Sequence, residues 1–76
     1  MTEIARAEAL FVSDLQPSDE PTPAQVALAI RAALLRRGGV PGCAAVMATE
    51  FGERPEASAA RMRWALGLAC PVTVAA

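Results

Sequence analysis

The chain is 76 residues long and 54% hydrophobic, carries a formal net charge of −1, and contains no histidine, lysine or tyrosine. That length holds one domain with a thin core. The missing residue types remove the usual general bases and amine nucleophiles, so a non-enzymatic protein is expected.

No apolar run reaches the roughly 18 residues a membrane span needs, and no basic segment followed by an apolar one opens the sequence. A cytoplasmic protein is therefore expected. Alanine fills 18 positions, and only Phe11, Phe51 and Trp64 are aromatic. Alanine makes helix easy and core volume scarce. Charge is divided unevenly. Residues 1–30 set Glu3, Glu8, Asp14, Asp19 and Glu20 against Arg6, a balance of −4. Residues 31–76 set six arginines against Glu50, Glu53 and Glu56, a balance of +3.

From Thr2 to about Val12, Ile4, Ala7, Leu10 and Phe11 recur at helical spacing, with Thr2 as cap and Glu3 in the first turn. The stretch SDLQPSDEPTP, residues 13–23, is too rich in proline for regular structure. It reads either as an ordered loop pinned by Leu15 or as a short exposed recognition motif. Thr22, Pro23 and Gln25 form a capping-box sequence. The helix they open runs through VALAIRAALLRR and stops at Gly38-Gly39, with Arg36 and Arg37 in its last turn. Val26, Ala27, Ile30, Ala33 and Leu34 share one face, and Leu28 and Leu35 lie nearly opposite. A helix apolar on two sides is either central to the fold, the favoured reading, or part of a subunit interface.

Val40-Pro41-Gly42 reads as a turn, followed by a helix from Cys43 to Phe51 ended by Gly52. Pro55 opens a last helix to about Ala69, before Pro71. Its expected buried stripe is Ala57, Ala60, Trp64 and Leu68, with Met62 and Leu66 as a second apolar edge. The tail VTVAA is read as a strand on the core or a loose end. Cys43 and Cys70 form no ligand set with histidine, so no metal or other cofactor is expected and both read as core fillers. Cys43 follows Gly42 at a helix start, which leaves a redox or acyl-carrying thiol as a minor alternative.

The stretch CAAVMATEFGERPEASAARMRWALGLA, two helices about a short glycine-bearing turn, resembles a helix-turn-helix domain. Ala48 and Gly52 take the small-residue and turn-glycine positions, and Arg54, Arg61 and Arg63 would be the nucleic-acid contacts. Glu53 and Ser58 stand where that pattern carries apolar residues. Separately, EALFVSDLQPSDEPT and GCAAVMATEFGERPEASAARMRW resemble small actinobacterial proteins of the Streptomyces type, over about residues 8–66. That resemblance assigns no binding residue.

The expected fold is a single all-α domain, residues 1–76, of about four helices with a helix-turn-helix-like C-terminal pair. A small regulatory protein that associates with duplex DNA or the transcription apparatus is expected. The alternative is a protein–protein adaptor, self-associating as a homodimer or binding another protein through Leu28, Leu35, Met62, Trp64 and Leu66, with the acidic N-terminal half steering a basic partner. No small-molecule substrate is evident in the sequence.

Overall fold

The computed structural model describes residues 1–69. Cys70 and the expected tail at 71–76 lie outside the described residues. Four helices make up the fold: α1 (Glu3–Phe11), α2 (Pro23–Arg37), α3 (Val40–Glu53) and α4 (Pro55–Ala69). The all-α expectation holds, and no strand occurs among the described residues.

Local chemistry sets most boundaries. The Thr2 hydroxyl accepts the Ala5 N–H at 3.0 Å and caps α1. At α2, Thr22 Oγ1 accepts the Gln25 N–H at 3.2 Å, and Gln25 Oε1 accepts the Thr22 N–H at 2.8 Å, completing the capping box. Between these helices the proline-rich loop holds a short 3-10 turn at Pro17–Asp19, closed by the Asp19 carboxylate accepting the Gln16 N–H at 2.8 Å. The expectation of no regular structure there is corrected to that extent. Leu15 packs on the core as the loop's apolar anchor.

Two glycines turn α2 into α3. Gly38 (φ 81°) and Gly39 (φ 86°) both take backbone angles that side chains disfavour. The Gly39 N–H reaches back to the Leu34 carbonyl at 2.7 Å, closing α2 in a Schellman-like turn. Here the structure corrects the expected turn at Val40-Pro41-Gly42, because α3 already begins at Val40. Proline lacks the N–H that a first helical turn leaves unpaired anyway, so Pro41 fits inside the helix. Gly42 sits against the α2 backbone, where a β-carbon would overlap the Arg37 carbonyl.

The second correction concerns Gly52. It lies within α3, which runs on to Glu53, and the break falls at Arg54 (φ −137°, ψ 69°). Pro55 drives its predecessor out of helical geometry. The turn of about three residues expected around Gly52 is thus the single residue Arg54. Its N–H closes α3 on the Glu50 carbonyl at 2.7 Å, and its carbonyl accepts the Ser58 N–H at 2.9 Å to open α4.

The central helix is α1, which packs against all three others and most extensively against α4. The expected central place of α2 is therefore corrected. Val26, Ile30 and Ala33 are buried as the periodicity requires, but Ala27 is exposed and no helix among the described residues covers the Leu28–Leu35 side. Ile4 likewise points out, 61% exposed.

On α4 the buried stripe is Ser58, Ala65 and Ala69, one residue round from the expected Ala57, Ala60, Trp64 and Leu68. Ala57 and Ala60 are exposed, while Trp64 and Leu68 pack at the core's edge. Small residues are buried on both helices, with Ala7 and Ala9 of α1 fully so, and α1 and α4 are the most extensively packed pair. The backbones thereby approach closely and bury little volume. Leu10 and Cys43 are the largest side chains fully buried.

Candidate functional site

Arg61, expected among the nucleic-acid contacts, turns inward. From α4 its Nε donates to the Phe11 carbonyl at 2.6 Å, and its Nη2 donates to the Ser13 and Leu15 carbonyls at 3.0 and 2.9 Å. These oxygens lie at the end of α1 and in the loop beyond it, where helical partners run out. The guanidinium also sits 4.8 Å from the Trp64 ring centroid and 5.9 Å from that of Phe11. Phe11 in turn stacks on Phe51 at 5.7 Å between centroids. Two of the chain's three aromatic rings thus lie near this cation, and the third stacks on one of them. Burial lowers the Arg61 pKa from its ordinary value. That environment gives Arg61 a structural task.

The other two expected nucleic-acid contacts remain outside. Arg54 is exposed and pairs with Glu50 at 3.2 Å, an i, i+4 contact across the α3–α4 break. Arg63 is exposed on α4. Arg54, Arg61 and Arg63 therefore form no joint cationic face, and Glu53 and Glu56 are exposed on either side of Arg54.

The expected protein-contact residues divide in the same way. Met62, Trp64 and Leu66 are half-buried and packed against the core. Leu28 and Leu35 are 66% and 79% exposed. Since α2 and α4 pack on α1 rather than chiefly on each other, the two sets do not make one surface.

The exposed pair belongs to a longer face. At about 100° per residue, Ala24, Leu28, Ala32 and Leu35 run along the side of α2 opposite Val26, Ile30 and Ala33. Beside Leu35 a groove of about 370 Å³ opens between α2 and the start of α1, lined by Met1, Arg6, Ala27, Ile30, Arg31, Leu34 and Leu35. Met1 is 67% exposed. Arg6 and Arg31 supply the charge of this groove, and no acidic residue lines it. The sequence showed the Leu28–Leu35 spacing, but not that Met1, Arg6 and Leu34 join it.

A second cleft, about 340 Å³, opens where the C-terminal ends of α1, α2 and α3 meet the first turns of α4. Phe11, Val12 and Val46 give it apolar walls, while Arg37, Arg54, Arg61 and Glu50 supply its charge. In the sequence Arg37 is a last-turn cation like Arg36, and only the packing separates the two. Arg36 pairs with Asp14 at 2.8 Å, holding that carboxyl below its usual pKa, chiefly through the hydrogen bond.

Cys43 is fully buried, and its thiol donates to the Ala33 carbonyl at a sulfur–oxygen distance of 3.7 Å. Desolvation raises its pKa, so the environment holds the thiol form rather than the nucleophilic thiolate. No helix among the described residues is long and apolar enough to cross a membrane. No protein-family model, curated protein or solved structure matches the chain.

Proposed function

We propose that this protein is a non-enzymatic adaptor that receives an acidic amphipathic helix of another protein on the outer face of α2. The observation that carries this reading is the pair Leu28 and Leu35, two leucines two turns apart and each more than half exposed. Large apolar side chains aligned along one helix are what helix-in-groove recognition requires. The adjoining groove offers a place for an anchoring side chain.

Charge selects the kind of partner. Arg31 and Arg6 supply the charge of the groove beside Leu35, and α2 contains no acidic residue. An acidic helix meets complementary potential there, which favours encounter and orientation. A second copy fits less well. A two-fold antiparallel pairing that sets Leu28 of one copy against Leu35 of the other is centred between residues 31 and 32. It would set each Arg31 opposite Ala32 and one position along from the other Arg31, two like charges close together near the middle of the interface.

Association with duplex DNA has less support. Arg54 and Arg61 line a cleft and Arg63 lies outside it, so the three present no continuous cationic surface to a duplex, and Glu53 and Glu56 are exposed on either side of Arg54. A photo-crosslinking residue at position 28, compared with one at exposed Thr49 on α3, tests the adaptor reading in cells of the native source. The expected product is an adduct from position 28 alone, mapping to an acidic helix of a different protein. An adduct with a second copy, or equal labelling from both positions, would overturn it. Salt-sensitive retention on duplex DNA, abolished by Arg63→Ala, would move support to the nucleic-acid reading.

A further inference from the structure

We infer that the cleft at the α1–α4 junction binds a small organic anion, a phosphate or carboxylate group attached to an apolar body. Its volume, about 340 Å³, falls at the lower end of the roughly 300–1,000 Å³ that small-ligand sites occupy. The walls have two chemistries. Phe11, Val12 and Val46 present hydrocarbon, and three arginines stand against the single carboxylate of Glu50. An apolar surface with a few convergent cations fits an amphipathic anion better than a bare ion or a neutral ring.

The three arginines differ in availability. Arg61 is fixed through Nε and Nη2, and its Nη1 makes no hydrogen bond among the described residues. It therefore presents donors whose position the fold has already set, so little order is lost on binding. Arg54 uses one nitrogen on Glu50 at 3.2 Å in an exposed pair, and that guanidinium keeps other donors for a ligand. Arg37 is exposed and has no ion-pair partner among the described residues, unlike its neighbour Arg36. Glu50 is the one carboxylate of the lining, and its pairing with Arg54 offsets part of the charge that would oppose an anion.

This cleft is lined by none of the leucines of the α2 docking face, so either reading can fail without the other. The test is an NMR titration of the labelled protein with phenyl phosphate, benzoate, inorganic phosphate and benzyl alcohol as separate probes. Saturable shifts centred on Ser13, Val46, Ala57 and Ser58 are expected with phenyl phosphate or benzoate. The stronger of the two identifies the head group. Inorganic phosphate and benzyl alcohol should each bind at least about tenfold more weakly, a difference of 1.4 kcal/mol.

Arg37→Ala and Arg54→Ala are surface changes compatible with the fold, and each should weaken the better probe by about tenfold. Arg63→Ala, which removes an exposed charge outside the cleft, should leave the affinity unchanged. Shifts that never saturate, that follow every arginine alike, or that survive Arg37→Ala would overturn the assignment. So would inorganic phosphate binding as tightly as phenyl phosphate.

Discussion

Three carbonyl oxygens from the end of α1 and the following loop converge on Arg61. An exposed arginine would leave them to water, but here the loop folds over them and the guanidinium replaces the solvent. Arg61→Ala should therefore destabilise the fold by about 2–4 kcal/mol, since hydrogen bonds to a charged group are each worth more than neutral ones and are not additive. Arg61→Lys should recover less than half of that loss, because an ammonium cannot present the planar fork that reaches all three oxygens. Urea denaturation of the two variants measures both. Gly42 is constrained by the opposite circumstance, a lack of room. Gly42→Ala places a methyl group on the Arg37 carbonyl, so α3 must move away from α2. A loss of about 1–3 kcal/mol is expected, read as a lower melting temperature with helix content retained. Neither role is visible along the chain. Arg61 lies 46 to 50 positions from the oxygens it binds, and Gly42 resembles any glycine after a proline until α2 is laid beside it.

Helices α1 and α2 announce their starts locally, and there the sequence is a reliable guide. Thr2, Thr22 and Gln25 act on N–H groups three residues away, so spacing alone determines the contact. Thr22→Ala should accordingly cost about 1 kcal/mol, the usual worth of a cap, in the same denaturation assay. The end of α3 misleads for a physical reason. Gly52 permits a break but does not compel one, whereas Pro55 compels one at Arg54. The α4 stripe is displaced by one position because hydrophobic periodicity favours the large residues Trp64 and Leu68. The extensive packing of α4 on α1 favours small ones instead. The loop between α1 and α2 also carries a pH dependence. Asp14 has a lowered pKa through Arg36, so its contribution is present above the ordinary aspartate value of about 3.9. That contribution is lost as pH falls through the lowered folded value. Asp14→Asn should remove that contribution, lowering stability slightly near neutrality and leaving it unchanged well below about pH 4, so that the acid limb of a stability–pH curve flattens. A variant that keeps the wild-type acid slope would show that another carboxylate sets it.

At the scale of the whole molecule, a thin core coexists with uncovered hydrocarbon. Leu10 and Cys43 are the largest side chains fully buried, whereas Met1, Ile4, Leu28 and Leu35 are each more than half exposed. Alanine-rich packing explains the first fact, because small residues draw α1 and α4 together and leave little interior for leucine. It does not explain why leucine, rather than another alanine, occupies positions 28 and 35. Placing leucine there does nothing for the monomer's core, so the adaptor reading and a purely structural reading predict different outcomes for the same variant. If the leucines serve only the fold, Leu28→Glu with Leu35→Glu should lower stability as a core change does. If they serve a partner, the double variant should stay within about 0.5 kcal/mol of wild type in urea, as exposed substitutions do. It should also lose the position-specific crosslink, which for this variant is read from a photo-crosslinking residue at Ala32, between the two leucines on the same face. The paired measurement separates the cases. A stable variant that still forms the adduct shows that the leucines do not hold the partner. An unstable one means the α2 face is covered by some part of the chain itself. Charge removal by Arg31→Ala sharpens the result. It should weaken capture of an acidic helix, yet it should relieve the like-charge contact in any antiparallel self-pairing of α2. Sedimentation of Arg31→Ala beside wild type reads that difference directly: an unchanged monomer with reduced capture is the outcome expected of an adaptor for an acidic partner.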